Sequence, residues 1–470
     1  MVIMLKPTIG IEVHVELKSK TKVYSNSLNS YTNEPNTLVV PGDLGMPGTL
    51  PKLNKEVINL ALKAALGLNM SINKYMTFDR KSYFYPDLAR GYQITQERTP
   101  IGYDGYLMIN DKKISIERLH IEEDTCKSIH STSGTLLDYN RSGVPLVEIV
   151  TYPVISSPEE AVSYVETLRE TLLYLGVSDV KIEEGSMRCD ANISLSKDET
   201  LGSKVEVKNI GSITGVLNAL KYEIERQTNI INNGGTVDVE TRRYDDKTNT
   251  TISMRKKERA TDYRYFPEPD IPPVILTDEY IDSVKENMGE VPIVIREYFK
   301  KHDINDKVLN TLMNSKDMAI YLYSAKDKVN VNIGSNILVN DIASYLNQKR
   351  VEFNNLISEE RFINLINALE SNVISTNQLK SILSDYLESN KDIKTLIKEK
   401  GLEEISNEKE LLTIVTKVID SNEDSVNDYK NGLDRAIKYL MGQIMKETKG
   451  KANPKLVNQI LITELDKRIL

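Results

Sequence analysis

The chain has no tryptophan, only two cysteines and only four histidines in 470 residues. Two thiols, Cys126 and Cys189, cannot build a disulfide framework or a four-cysteine zinc site, so a reducing cytoplasm is the expected setting. No apolar run reaches the ~18–20 residues that span a bilayer, and the opening Met-Val-Ile-Met-Leu-Lys does not have the layout of a secretory signal. No membrane partner is expected. Also missing are Gly-x-x-x-x-Gly-Lys-Ser/Thr, Gly-x-Gly-x-x-Gly, the kinase catalytic-loop set and a Gly-x-Ser-x-Gly elbow. Their absence removes the P-loop, dinucleotide-binding, kinase-type and α/β-hydrolase readings. Cys126 has Lys127 and His120 close in sequence but nothing else that marks a nucleophile, so it reads as a bystander thiol.

What is present is unevenly distributed. The 60 Lys+Arg and 68 Asp+Glu sum to a net charge of −8, which taken whole argues against a nucleic-acid partner. Residues 101–200, however, carry 9 basic and 18 acidic residues, whereas residues 430–470 carry 9 basic and 4 acidic. Such a chain suits a cation in one place and a polyanion in another.

The local patterning changes along the chain. Up to about residue 290, short alternating runs predict strands with one wet face, as in Gly10–Leu17, Leu119–Asp124, Arg188–Leu195 and Lys204–Lys208. Between them lie helices. Ser157 is placed to cap one from Pro158 to Leu175, with Glu159 and Glu160 at its positive end, and a second is expected over Ser212–Asn229. The expected class is α+β with a large, mostly antiparallel sheet. Beyond Pro267–Pro273 the apolar positions fall at helical spacing: Phe362, Ile363, Ile366 and Leu369, then Leu379, Ile382, Leu383 and Leu387, and later Ile437, Leu440, Met441 and Ile444. The expected organisation is three domains, 1–294, 295–404 and 405–470.

Alternation also says which side chains share a face. Glu12, His14 and Glu16 fall together, as do His120, Glu122 and Asp124; Arg188, Asp190, Asn192 and Ser194; and Lys204, Glu206 and Lys208. Carboxylates crowded this way need a cation to stay ionised, and hard oxygen donors with an imidazole suit Mg²⁺ or Mn²⁺ better than structural zinc. A second set mixes cations with aromatic rings: Phe78–Asp87, Arg242-Arg243, Arg255 and the run Asp262–Asp270 that contains Arg264. Arginine and lysine beside a divalent ion are what phosphoryl transfer requires.

These same runs carry a resemblance. Ile9–Leu17, Pro47–Pro51, Phe78–Asp87, Arg118–Asp124, Glu183–Ser194, Glu240–Arg243 and Asp262–Asp270 closely resemble the signatures of the GatB family, the B subunits of the tRNA-dependent aspartyl/glutamyl amidotransferases. The tail from Val426 through Asn458 resembles the YqeY-type helical module. The resemblance implies a glutamine synthetase-like cradle domain (kinase and transamidase), then a helical domain and a YqeY-like tail that grip tRNA. It implies ATP and Mg²⁺ as cofactors, a heterotrimer with an amidase (the A subunit) and a small C subunit, and mischarged Glu-tRNA(Gln) or Asp-tRNA(Asn) as substrate. It places Glu12, His14, Glu123 and Asp190 closest to the metal, with Glu122 and Glu206 beside them. Arg188, Lys208, Arg242, Arg255 and Arg264 become candidates for phosphate or adenosine contacts. Arg90, with Glu123, falls where the family's ammonia path enters the cradle, at a position where relatives often carry Lys. Arg does not shed its proton, so a proton-shuttling role there is in doubt. Placing Glu123 at the metal conflicts with strict alternation and requires a bulge near Ile121–Asp124. Some relatives bind zinc through a cysteine cluster; with two cysteines, none is expected here. Two other readings stand beside this one: a non-catalytic tRNA-binding scaffold, and a free-standing carboxylate–amine ligase acting on small molecules.

Overall fold

The computed structural model describes residues 5–198, 200–256, 263–354, 356–371, 373–401, 408–430, 433, 435–448, 452 and 454–469. Asp262, Lys449, Gly450, Lys451 and Asn453, which figure in the sequence motifs, lie outside the described residues. The chain divides into two compact units, Met1–Pro292 and Ile293–Leu470.

The first unit is organised by a nine-stranded sheet. In spatial order its strands are Thr250–Lys256, Glu240–Asp245, Val205–Ile210, Met187–Ser196, Lys6–Glu16, Pro145–Thr151, Lys112–Glu123, Gly102–Ile109 and Ser71–Ile72. Every neighbouring pair is antiparallel except Val205–Ile210 with Glu240–Asp245. The alternation seen in sequence is the cause of the layering. Along Lys6–Glu16, Ile9, Ile11, Val13 and Val15 are buried, while Glu12, His14 and Glu16 are half-buried on the other face. The apolar side joins Ala161, Val165, Leu168 and Leu172 of helix Pro158–Tyr174 and Val216, Ala219 and Leu220 of helix Ile213–Asn232 in one core. Burying each such aliphatic side chain is worth about 1.5–3 kcal/mol. Ser157 accepts from the Glu160 amide at 3.1 Å and Ser212 from the Gly215 amide at 2.9 Å, so both helices start at side-chain caps worth about 1 kcal/mol each.

Strand Lys112–Glu123 changes phase partway. Its pairing with Pro145–Thr151 shifts register between Val150, opposite Arg118, and Thr151, opposite Ile116, which leaves Glu117 as an extra residue. Ile114 and Ile116 before the shift, and Leu119 and Ile121 after it, therefore all reach the same core. Beyond the shift, His120 and Glu122 face the polar side.

Gly102 and Gly105 sit where the sheet edge meets the end of helix Lys55–Gly67. A Cβ on Gly105 would lie 2.3 Å from Met70 Cγ and 2.7 Å from the Leu68 carbonyl oxygen.

The second unit is helical throughout its described residues. Phe362, Leu365 and Ile366 on Glu359–Glu370, and Leu379, Ile382, Leu383 and Tyr386 on Thr376–Glu388, form buried faces. Ile363, Leu369 and Leu387, which the periodicity includes, are half-buried at their margins. A separate core unites helices Glu408–Asp420, Arg435–Glu447 and Pro454–Ile469 through Leu411, Val415, Leu440, Ile444, Val457 and Leu461. Among the described residues no helix is long and apolar enough to cross a membrane.

Candidate active site on the open face of the sheet

The polar face of the sheet is read row by row from the strand register. One transverse row runs Arg188, His14, Glu148, His120. The row above it is Asp190, Glu12, Val150, Arg118, and the row below holds Glu16, Leu146 and Glu122. His14 Nε2 lies 3.4 Å from Glu148 Oε2, 3.7 Å from Glu122 Oε2 and 4.0 Å from Glu12 Oε1. His120 Nε2 lies 3.2 Å from the same Glu148 oxygen. Two overlapping triads, Glu12–His14–Glu148 and His120–Glu122–Glu148, each bring their ligand atoms within 4.8 Å of one another.

Cations border this cluster. Lys208 pairs with Asp190 at 2.8 Å and Glu206 at 3.0 Å, and Glu206 also accepts from Thr241 at 3.0 Å. Lys81, from the short strand Asp79–Ser82, stands 3.4 Å from Glu122 with its ammonium 5.2 Å from the Tyr263 ring centre. Tyr263 in turn makes edge contacts with Tyr83 and Tyr265.

The titration behaviour follows from this crowding. Burial alone would depress His14, but the hydrogen bond and charge of Glu148, with the charges of Glu122 and Glu12, lift it to about 9. Burial works against the Glu148 carboxylate too, yet His120 and His14 hold it well below the usual range. Burial and the charge of Glu148 raise Glu12. Lys81 and Lys208 are pushed up because neighbouring carboxylates outweigh their burial. Glu12, Glu122, Glu148, Asp190 and Glu206 together exceed the two lysines by three charges. That excess, with oxygen donors and two imidazoles, is a donor set that fits a hard divalent cation.

The structure thus brings Glu12, His14 and Glu122 together, sets Asp190 and Glu206 beside them through Lys208, and separates the rest. Glu123 is not in the metal cluster. The bulge expected at Ile121–Asp124 lies instead at Glu117, so pairing stays regular through Glu123 and its side chain leaves by the other face. There it bonds Arg90 and accepts the Ile94 amide at 2.9 Å, both on Oε1. Burial nevertheless raises its carboxyl above the ordinary value, against the pull of Arg90. This pair borders a small cavity of about 40 Å³ that Tyr24, Asp43, Tyr92 and Asp270 also line.

Arg242 likewise falls on the helix-covered face. It bonds Glu240 at 2.8 Å, Glu223 at 3.1 Å and Thr251 at 2.7 Å, a buried structural network rather than a nucleotide contact. Arg188 pairs with Asp124 at 2.7 Å, and Asp124 also binds Arg141. Arg255 stands opposite Thr241 in the register, but its side chain lies outside the described residues. Arg264 is exposed, with a left-handed φ of 45°.

Two cluster members, Glu148 and His120, and the bordering Lys81 were missed as site residues. His120 was on the predicted polar stripe. The signal for Glu148 was a lone carboxylate inside Pro-Leu-Val-Glu-Ile-Val-Thr, where an unpaired charge would be costly. Of the two thiols, Cys126 is pushed up to about 11 by burial and by Asp87, which keeps it a weak nucleophile.

An acidic, imidazole-bearing sheet face flanked by lysines defines a protein of the metal-assisted group-transfer class. Comparison with known proteins gives the family. Residues 7–282 match the GatB/GatE catalytic domain and residues 321–465 match the GatB domain of the YqeY type. The chain is 44% identical to the B subunit of the aspartyl/glutamyl-tRNA(Asn/Gln) amidotransferase of Bacillus cereus (strain AH187), over 99% of its own length and 100% of the relative. It is 43% identical to the protein of that name from Bacillus mycoides (strain KBAB4), and 44% to that from Bacillus thuringiensis (strain Al Hakam), over the same shares. The chain belongs to the GatB family, the B subunits of tRNA-dependent amidotransferases. The second match begins at residue 321 and so runs across both helical blocks that the sequence reading separates near residue 405.

Proposed function

We propose that this chain activates the side-chain carboxylate of Glu-tRNA(Gln), Asp-tRNA(Asn) or both by ATP-dependent phosphorylation, and then amidates it with ammonia from a partner amidase. The observation that carries the reading is the shared Glu148 carboxylate between two imidazoles and two further glutamates, with Lys81 and Lys208 at its borders.

A carboxylate resists attack by a neutral amine because its oxygen is a poor leaving group. Transfer of a phosphoryl group to that oxygen makes it a good one. Glu12, His14, Glu122, Glu148 and His120 are the donors that would hold Mg²⁺, which when bound neutralises charge on the phosphoryl oxygens. Lys208 and Lys81 supply fixed positive charge beside the cluster, held in place by their carboxylate partners. In the second step the ammonia nitrogen forms a bond to the carbonyl carbon, the bond from that carbon to the phosphorylated oxygen breaks, and inorganic phosphate leaves. The nitrogen loses one proton. Arg90 keeps its own proton, so Glu123, with its raised carboxyl, is the acceptor on the ammonia side. The amidase and a small C subunit complete the heterotrimer. The helical unit, with its basic end, takes the tRNA.

The test is transfer of labelled γ-phosphate from ATP to Glu-tRNA(Gln) and Asp-tRNA(Asn) in the assembled complex. Loss of transfer in Glu12→Ala and His14→Ala, with tRNA binding retained, supports the reading. Unchanged transfer in both refutes the site. No transfer in the unaltered complex leaves a tRNA-binding scaffold.

A further inference from the structure

The cavity beside Arg90 and Glu123 contains a group the proposed chemistry has not used. The Tyr24 hydroxyl lines it, and its residue is only 5% exposed, yet among the described residues the hydroxyl has no hydrogen-bond partner. Its ring is held by an edge contact with Phe78, at 5.9 Å between centres and 89° between planes. A buried hydroxyl left unpaired costs stability and does nothing for the fold. We propose that Tyr24 is a positioning residue that holds one molecule of neutral ammonia against Glu123 on its way to the open face, an inference that rests on the function proposed above.

Size and charge both point to that guest. A volume of about 40 Å³ admits one or a few molecules as small as water or ammonia, and excludes a nucleotide or an aminoacyl end. The surrounding ion pairs cancel: Glu123 is paired with Arg90, and Asp43 with Lys22 at 3.2 Å. At the rim, Asp270 is paired with Arg80 at 3.0 Å. A balanced site favours a neutral guest over ammonium. Arg90 and Lys22 can only donate hydrogen bonds, so they cannot accept from ammonia's N–H groups. Glu123 can accept them, and the Tyr24 hydroxyl can donate to the nitrogen lone pair or accept an N–H. Glu123 is itself fixed, since the Ile94 amide and the Arg90 guanidinium both bind Oε1, and its carbonyl accepts from Gln93 at 2.5 Å.

Tyr24→Phe in the assembled complex tests this, because it removes only the unpaired oxygen. The thermal midpoint is expected to stay or rise, and phosphate transfer to the tRNA to stay. Amide formed per glutamine hydrolysed is expected to fall about 2- to 10-fold, the effect of one hydrogen bond. With ammonium chloride as donor, KM is expected to rise by the same factor at unchanged kcat. Unchanged coupling and unchanged ammonium KM mean that the cavity holds water only, and overturn the inference. Coupling lost together with phosphate transfer or thermal stability assigns Tyr24 a structural role, and also overturns it. An unaltered complex that transfers no phosphate to tRNA overturns the function proposed above, and this inference with it.

Discussion

Glu148→Gln is the most revealing single change in the site. Glu148 Oε2 faces both imidazoles, 3.4 Å from His14 and 3.2 Å from His120, and belongs to both triads. Glutamine keeps the shape, removes the charge and turns an amide toward two rings. Raising His14 from 6.5 to about 9 corresponds to roughly 3 kcal/mol in favour of the protonated ring, and Glu148 is the first of the groups that raise it. Without that charge, burial pulls His14 back toward or below 6.5, while Glu12 and Glu122 hold part of the rise.

The sign for the chelated, metal-free chain follows from linkage. A base whose folded value is raised stabilises the fold fully below its unfolded value and loses that contribution as pH climbs through the folded one. The unaltered chain should therefore lose up to about 3 kcal/mol between pH 6.5 and about 9, and Glu148→Gln much less. Losing a ligand should also weaken Mn²⁺ binding at least ~10-fold, since disturbing even the outer partners of metal ligands costs that much. Ring-proton NMR titration of His14, calorimetric Mn²⁺ titration and urea unfolding at both pH values measure the three effects. An unmoved His14 titration with unmoved Mn²⁺ affinity would refute the assignment of Glu148 as the centre of the cluster.

Other substitutions separate structure from chemistry. Arg242→Ala strips Glu223, a side chain with no exposure, of one of its cations and should cost about 3–5 kcal/mol in urea unfolding, while phosphate transfer per folded molecule is retained. A selective loss of ATP affinity with normal stability would return Arg242 to the nucleotide. Gly105→Ala should destabilise by about 1–3 kcal/mol, read as a lowered thermal midpoint, because its Cβ would meet Met70 and the Leu68 carbonyl. Removing residues 405–470 should weaken tRNA binding and flatten its salt dependence in filter-binding assays, and an unaltered affinity takes the tail out of the tRNA account.

Much of the site was legible because period-two alternation is a local property. Glu12, His14 and Glu122 could be placed on wet faces without knowing which strands were neighbours. What alternation cannot supply is the strand between them. Pro145–Thr151 inserts Glu148 into the middle of the cluster, and its apolar flanks hide the pattern. Register shifts are equally invisible, since they belong to a pair of strands; hence the bulge was expected four or more residues too late and Glu123 was drawn to the wrong face. For Arg242 and Arg243, adjacent in sequence, only the sheet decides which meets the helices. The helical unit was easier, because capping and 3.6-residue spacing are written within each helix.

The extra residue at Glu117 makes one strand behave as two of opposite phase joined end to end. Its side chain is partly exposed and makes only a 3.6 Å contact with Arg118, so the position looks tolerant. Substitution there should indeed be mild. A change of length is another matter. Deleting a single residue would either drive His120 and Glu122 into the apolar layer or expel Leu119 and Ile121 from it. Residue 117 is thus permissive for identity and intolerant in number: the site depends on the count of residues there and not on their chemistry.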